Sequence, residues 1–353
     1  MGFEVNPYDR CAANEMANGT QCTVAWHVDD PKASHMQQEA LNELVECLRG
    51  IHDDEEIGVT QAVEGDVHEF SGMKLDCSEE GKLMVDMREH VCGMVEDFEK
   101  KYELMKSEKT PAADHSFKVN ENCGELNKEK HEDLHTHTAK ASFVCEHSRP
   151  DVQTPVAFLT TGVKEPDEDN WKKSARMMTH FKHTKDSVLT LETDNLNVIT
   201  WFMDGSCAVH NDMKGHTGAG MTMGKGGIHD GSTKQKSNAK SGTETELAGV
   251  DDALPQVPWT DYFVRAQGCN THQTVAMQDN ESAVLSENNG KLSSGNRTKH
   301  INVWCHFVKD CIDGKELTIE FCGADDMWAD FHTEPLQGEK FEEFRKITLN
   351  IEE

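Results

Sequence analysis

Apolar residues follow two repeats along the chain, and the switches between them lay out its elements. The run Leu196-Asn-Val-Ile-Thr-Trp-Phe-Met203 is rich in β-branched and aromatic residues and predicts a strand ending near Asp204. Thr274-Val-Ala-Met277 and Leu317-Thr-Ile-Glu-Phe321 predict two more short strands. Upstream, Gln21-Cys-Thr-Val-Ala-Trp-His-Val-Asp-Asp30, Glu69-Phe-Ser-Gly-Met-Lys-Leu75 and Leu83-Met-Val-Asp-Met87 read the same way. Helical spacing takes over at Leu41, Leu44, Val45 and Leu48, which puts an amphipathic helix over Gln37 to Leu48. It returns over Val91 to Tyr102, over Glu168 to Phe181, and from Leu247 toward Leu254; a further helix is expected to start within Asp325 to Phe331. Lys106 to Asp133 is polar, with Thr110-Pro-Ala-Ala inside it, and reads as a linker. Gly215 to Gly227 reads as a hairpin. A phosphate-binding loop ending at Gly224-Lys225 needs Gly and then Ser or Thr where this chain has Ala219 and Gly226.

Composition narrows the classes. At 353 residues the chain has room for two or three domains. Its net charge, 35 − 64 = −29, argues against coating nucleic acid by bulk attraction, which relies on Lys and Arg contacts to phosphate. The 12 Cys form no Cys-x-x-Cys pair, so neither a zinc knuckle nor a disulfide framework is implied, and reduced thiols inside a cell are expected. No apolar run approaches the ~20 residues that span a bilayer, and no membrane partner is expected.

Four acids then stand out by their setting. Asp204 ends the first strand, Glu246 opens the helix toward Leu254, Asp279 follows Thr274–Met277, and Asp330 lies in the helix start after Leu317–Phe321. Carboxylates at strand ends and on adjacent helices can converge on two divalent cations, which clamp the attacking and leaving oxygens of a phosphodiester. Oxygen ligands of this kind favour Mg²⁺ or Mn²⁺ over zinc.

Around these acids the chain resembles the ribonuclease H domain of copia-type retrotransposon polyproteins. The resemblance rests on Asp204-Gly-Ser-Cys-Ala-Val-His210, His216-Thr-Gly-Ala-Gly220, and the run from Gln235 to Leu247 that contains Glu244-Thr-Glu246. It continues in Gln278-Asp-Asn-Glu-Ser-Ala283, Arg297-Thr-Lys-His-Ile301 and Ala329-Asp-Phe-His-Thr-Glu-Pro-Leu336. Several ordered motifs in one chain set the four acids apart from the other Asp and Glu, most of which are expected to be solvated charges. The resemblance implies a mixed five-stranded sheet with helices, an α/β sandwich beginning near Leu191. It implies hydrolysis of the RNA strand of an RNA–DNA hybrid, with Asp204 and Asp279 as direct metal ligands, Glu246 orienting metal and nucleophile, and Asp330 completing the second site. It favours Asp330 over Asp325 and Asp326, and Glu246 over Glu244.

The earlier chain resembles other parts of the same polyprotein. Gln21 to Asp30 is similar to the palm hairpin of reverse transcriptases, which presents Asp29 and Asp30 to metal, with His27 where the family has Tyr; Glu69 to Leu75 resembles the next palm strands. Ser148-Arg-Pro-Asp-Val-Gln-Thr-Pro-Val-Ala-Phe-Leu159 resembles the thumb or connection, with Arg149 and Asp151 expected to cap and pack. The implied architecture is α+β and α/β: a partial palm at 1–105, a thumb or connection at 106–190, and a ribonuclease H-like domain at 191–353. The family's third palm carboxylate and its fingers lie upstream of the segment where this chain starts, so no polymerase activity is expected from this chain alone, and the missing N-terminal part of the polymerase is an expected partner.

Two basic islands flank the acids and are candidates for holding the hybrid: Lys234, Lys236 and Lys240 in one, Arg297, Lys299 and His300 in the other. Solvated loops are an equal reading of both. His131, His135 and His137 lack an acid or Cys to complete a metal site and read as surface residues. Many ribonuclease H enzymes carry a His before the last Asp; none lies between Phe321 and Asp330, and His300 is 330 − 300 = 30 residues upstream. Glu334 replaces a usual Lys. Three readings stay open at this point: an active nuclease of the cytoplasm and nucleus, a catalytically inactive remnant serving as an interaction module, and a surface adapted to high salt.

Overall fold

The computed structural model of the protein describes residues 2–53, 58–120, 122–193, 198–290 and 299–352. Among them the strands form three sheets. The first is antiparallel: β1 (Glu4–Val5), β2 (Ala12–Ala17), β3 (Thr20–His27) and β4 (Asp30–Ser34), in that order. Asn18 and Gly19 turn β2 into β3 with φ of 51° and 83°, the left-handed pair that a two-residue hairpin needs. Strand β3 ends at His27, short of the expected Asp30: the turn carries Asp29, and Asp30 begins β4. Helix α1 (Gln38–His52) follows and buries Ala40 and Leu44.

A second sheet starts with the hairpins β5 (Val67–Phe70), β6 (Met73–Asp76) and β7 (Lys82–Asp86). A helical layer comes next: α2 (Arg88–Glu99), α3 (Lys128–His147), a 3₁₀ turn at Pro150–Val152, α4 (Gln153–Gly162) and α5 (Glu168–His183). Its core joins Val91, Phe98, Leu134, Val144, Leu159, Met177 and Phe181. Helix α5 begins with a reciprocal cap between Asp167 and Asn170. The expected linker is corrected at its end: α3 starts at Lys128, capped by the Asn127 side chain, inside the stretch read as loop to Asp133. Strand β8 (Leu189–Thr193) then returns to pair antiparallel with β7. The second sheet therefore straddles residue 191, where the sequence places a domain start.

The third sheet is mixed and five-stranded. Strand β9 (Val198–Ser206) lies at its centre, with β10 (His216–Thr222) antiparallel beside it. The short β11 (Gly224–Lys225) leaves to join β8, and β12 (His229–Lys234) pairs antiparallel with β10. Helices α6 (Gly242–Ala253) and α7 (Gln256–Ala266) lead to β13 (Gln273–Gln278), which runs parallel to β9. After α8 (Glu281–Asn289) and α9 (Lys299–Asp313), β14 (Thr318–Phe321) pairs parallel with β13. The chain ends in α10 (Asp330–Thr333) and α11 (Gly338–Leu349). The order β12-β10-β9-β13-β14 is a mixed five-stranded sheet, as the resemblance implies. Alternation along β9 serves two cores. Ile199, Trp201 and Met203 pack with Val250, Leu254, Val257 and Val308, while Phe202 packs against Trp328, Phe331 and Phe344 on the opposite face.

One buried polar tie binds the layers. Asp151 accepts both arms of Arg149 at 2.8 Å, a third guanidinium bond from Arg345 of α11 at 3.3 Å, and stands 3.4 Å from His180 of α5. Packing rather than chemistry was the sequence expectation for Arg149 and Asp151, and this tie is a packing device.

Candidate active site

Asp204 falls on the β9 face opposite Ile199, Trp201 and Met203, so the same alternation that builds the core turns its carboxylate toward α10. There the Thr333 hydroxyl donates a short hydrogen bond to Asp204 Oδ2. Helix α6 comes to this strand at backbone contact. A Cβ on Gly249 would stand 2.8 Å from the Asp204 carbonyl oxygen, and one on Gly205 would collide with the Thr245 carbonyl. Only glycine allows that approach, and the approach brings Glu246 into reach: its Oε2 accepts from the Gly205 N–H at 3.0 Å. The parallel register Met277↔Phe202, carried two residues further, sets Asp279 beside Asp204 at the carboxyl ends of both strands.

Asp204, Glu246 and Asp279 each offer one oxygen, all within 4.8 Å of one another. Burial first, and then the charges of Asp330 and Asp279, push the Asp204 carboxyl up to about 6. Burial, Asp204 and Asp279 push Glu246 up to about 10. Burial and the neighbouring charges thus disfavour ionising Asp204 and Glu246 together until a cation joins them. Hard oxygen donors at this spacing fit a divalent ion of the Mg²⁺ or Mn²⁺ type.

Asp330 starts α10, so the expected helix start within Asp325 to Phe331 falls at its later end. It is not one of the three convergent residues. Its Oδ2 accepts from Lys340 Nζ at 2.8 Å, although its charge still raises Asp204. Burial and Asp279 raise Asp330, and Lys340 partly offsets them. Glu334 is raised by burial and by the charges of Asp330 and Asp279, with Lys340 again opposing. The structure thus brings Thr333, Glu334 and Lys340 to the site, none of which the sequence reading placed there as a participant.

No family model matches the chain. Among curated proteins it is 25% identical over 202 residues, 57% of its length, to the retrovirus-related Pol polyprotein from transposon TNT 1-94 of Nicotiana tabacum. It is 28% identical over 203 residues (57% of its length) to the Pol polyprotein from transposon RE2 of Arabidopsis thaliana, and 26% over 199 residues (56%) to that from transposon RE1. The relatives of this chain are retrovirus-related Pol polyproteins. The matched region is only 15%, 14% and 13% of the length of these three. Solved structures include a ribonuclease H1 isolated from compost, at 14% identity and a TM-score of 0.30 over 38% of this chain and 91% of that one. Another is the N-terminal ribonuclease H domain of a Mycobacterium tuberculosis protein, at 12% identity and a TM-score of 0.26 over 38% and 90%.

The remaining candidates of the sequence reading lie elsewhere. Asp29 and Asp30 are exposed on the β3–β4 hairpin; Asp30 accepts from the Ser71 N–H at 3.1 Å. Among the described residues no third ligand joins them. Lys234, at the end of β12, pairs with Asp212 at 2.9 Å, while Lys236 and Lys240 are exposed in the following loop. Arg297 lies outside the described residues. Lys299 and His300 open α9, with side chains outside the description. His131 hydrogen-bonds the Val163 carbonyl at 3.1 Å, while His137, expected at the surface, is instead buried against Phe98 on the core-facing side of α3.

Proposed function

We propose that the part of the chain from about 191 to 353 is a ribonuclease H domain, within a fragment of a retrotransposon reverse transcriptase, and that it hydrolyses the RNA strand of RNA–DNA hybrids with Mg²⁺ or Mn²⁺. The observation that carries this reading is the convergence of Asp204, Glu246 and Asp279 within 4.8 Å at the carboxyl ends of two parallel strands. The kinship with Pol polyproteins supports it.

Asp204 and Asp279 would be the direct ligands, with Asp204 held in place by Thr333. A bound divalent ion supplies charge stabilisation at the phosphoryl oxygen and a more acidic attacking water. Glu246, fixed through the Gly205 N–H, would orient the metal and that water. Asp330 would face the leaving side of the phosphodiester, steadied by Lys340. Lys236 and Lys240, exposed beyond β12, would meet the hybrid's backbone, and its wide minor groove with 2′-hydroxyls on one strand would supply strand choice. Polymerisation is not part of the proposal, because Asp29 and Asp30 gather no third carboxylate among the described residues. The N-terminal part of such a polymerase is the proposed protein partner, and the cytoplasm and nucleus are the proposed compartments.

The competing reading is an inactive remnant acting as an interaction module. The net charge of −29 and the Lys340–Asp330 ion pair favour it. Cleavage of a labelled hybrid in Mg²⁺ or Mn²⁺, beside an Asp204→Asn control, decides between them. Cleavage that disappears in the control establishes the nuclease; none by folded protein in either metal leaves the remnant.

A further inference from the structure

The acidic site has two halves that differ in one respect. The Asp204–Glu246–Asp279 half has no ion pair among the described residues. The other half, Asp330 with the exposed Glu334 close enough to feel its charge, already contains a cation, the ammonium of Lys340. Lys340 is the third residue of α11, and its Nζ donates to Asp330 Oδ2 at 2.8 Å and to the Ala324 carbonyl, just after β14, at 3.1 Å. It lies over the Phe344 ring at 5.4 Å, one helical turn on. The acids facing it are Asp330, Asp325 and Glu334, from α10 and the segments around it. Its side chain is 36% exposed, so the ammonium has water to swing into.

We propose that Lys340 is a tethered cation standing where a second divalent ion would sit. The site then takes one ion tightly at Asp204, Glu246 and Asp279. It admits a second at Asp330 and Glu334 only when the Lys340 ammonium is displaced. A divalent ion coordinated by Asp330 must replace the 2.8 Å contact to Nζ, and until the ammonium leaves, the two positive charges repel. One lysine on a flexible stem thereby makes the second ion weak and exchangeable while Asp330 stays neutralised. This rests on the carboxylate cluster being a metal site, as proposed above.

The test is a titration of the full chain with Mn²⁺, followed by the electron-paramagnetic signal of free Mn²⁺, with no nucleic acid present. The wild type should bind one ion tightly and one weakly. Lys340→Gln should tighten the weak site on the order of tenfold and leave the tight one unchanged. Glu334→Gln should weaken the weak site further, which keeps a readout if Lys340→Gln folds poorly. Two tight ions in the wild type, or equal constants in wild type and Lys340→Gln, overturn the role of Lys340. Absence of Mn²⁺ binding by folded wild type overturns it together with the metal site. Binding lost in Asp204→Asn but indifferent to Lys340→Gln overturns Lys340 alone.

Discussion

Asp151 and Asp204 are buried to nearly the same degree, 3% and 7% exposed, yet their environments act in opposite directions. Burial alone would raise both. At Asp151 the Arg149 guanidinium, helped by His180 and Arg345, outweighs burial and holds the carboxyl well below the usual carboxylate range. At Asp204 the nearest charges are acids, and they add to burial. The first cluster carries its own counter-charge and ties the 3₁₀ turn, α5 and α11 together. The second lacks one among the described residues. Desolvation is common to both, so the sign of the neighbours separates a structural tie from a site that calls for a cation from outside.

Substitutions should expose that contrast, beginning with the largest effect. Asp204→Asn should lower hybrid cleavage about 10³-fold, since several kcal/mol of charge stabilisation depend on the cluster. The same change should leave the metal-free urea midpoint at pH 7 unchanged or higher, because it removes one of several crowded acids. Arg149→Ala should do the reverse within the other cluster. It leaves the buried Asp151 charge to Arg345 and His180 alone, at a cost of about 3 kcal/mol in folding stability, read by urea unfolding. A loss below about 1 kcal/mol would put that tie in the class of surface ion pairs and void the comparison.

The two clusters were unequally legible in the sequence. Asp204, Glu246 and Asp279 each sit at a change of pattern, where a β-branched run ends or a helical run opens, so local spacing marks them. The Lys340–Asp330 pair, Glu334 and Thr333 depend on α10 and α11 folding back onto β9, which periodicity does not encode. The Asp151 tie joins residues as far apart as Arg149 and Arg345 and was visible only as two residues expected to cap and pack. The start of α3 was lost for a local reason: Lys128 to Asp133 carry no fully buried position, the first being Leu134, so no apolar stripe marks that turn. The domain start that the sequence reading places near residue 191 falls inside β8, which pairs with β7 and β11; strand partners from three separate stretches leave no local signal of that sheet.

Metal addition sharpens the contrast further. At a free Mg²⁺ or Mn²⁺ concentration about 100 times its Kd, the wild type should gain about 2.7 kcal/mol of stability, and Asp204→Asn should gain far less. The pH dependence has a fixed sign. Glu246 is raised from 4.5 to about 10 and Asp204 from 3.8 to about 6, so their contribution is whole below the lower values and is lost as pH rises through the higher ones. Metal-free protein should therefore lose stability from about pH 5 toward pH 10, and a saturating divalent ion should flatten that slope. A slope unchanged by the ion would count against the cluster as its binding place. Gly249→Ala is expected to cost about 1–3 kcal/mol, because its methyl meets the Asp204 carbonyl oxygen 2.8 Å away and pushes α6, with Glu246, off β9.

The smallest effect concerns a third buried group, a histidine pair whose charged form is opposed by burial and by neighbouring cations. His210 Nε2 lies 3.0 Å from His216 Nδ1, and His216 Nε2 lies 2.8 Å from the Ser232 hydroxyl. Burial, with Lys234 nearby, lowers His210 to about 4; burial, with His210 and His332, lowers His216 to about 3. Both are lowered from 6.5, so their contribution is present above that value and is lost as pH falls through the folded-state values, the mirror image of the acidic cluster. His210 stacks on Phe158 with the rings 9° from parallel, so His210→Phe retains an aromatic there and gives up the hydrogen bond to His216, at about 1 kcal/mol near pH 7. Below pH 6 the variant should lose less stability than the wild type, and the two urea midpoints should converge toward pH 5. Parallel midpoints from pH 7 to 5 would mean that the pair is not what limits the acid side, and that other buried groups such as His229 do.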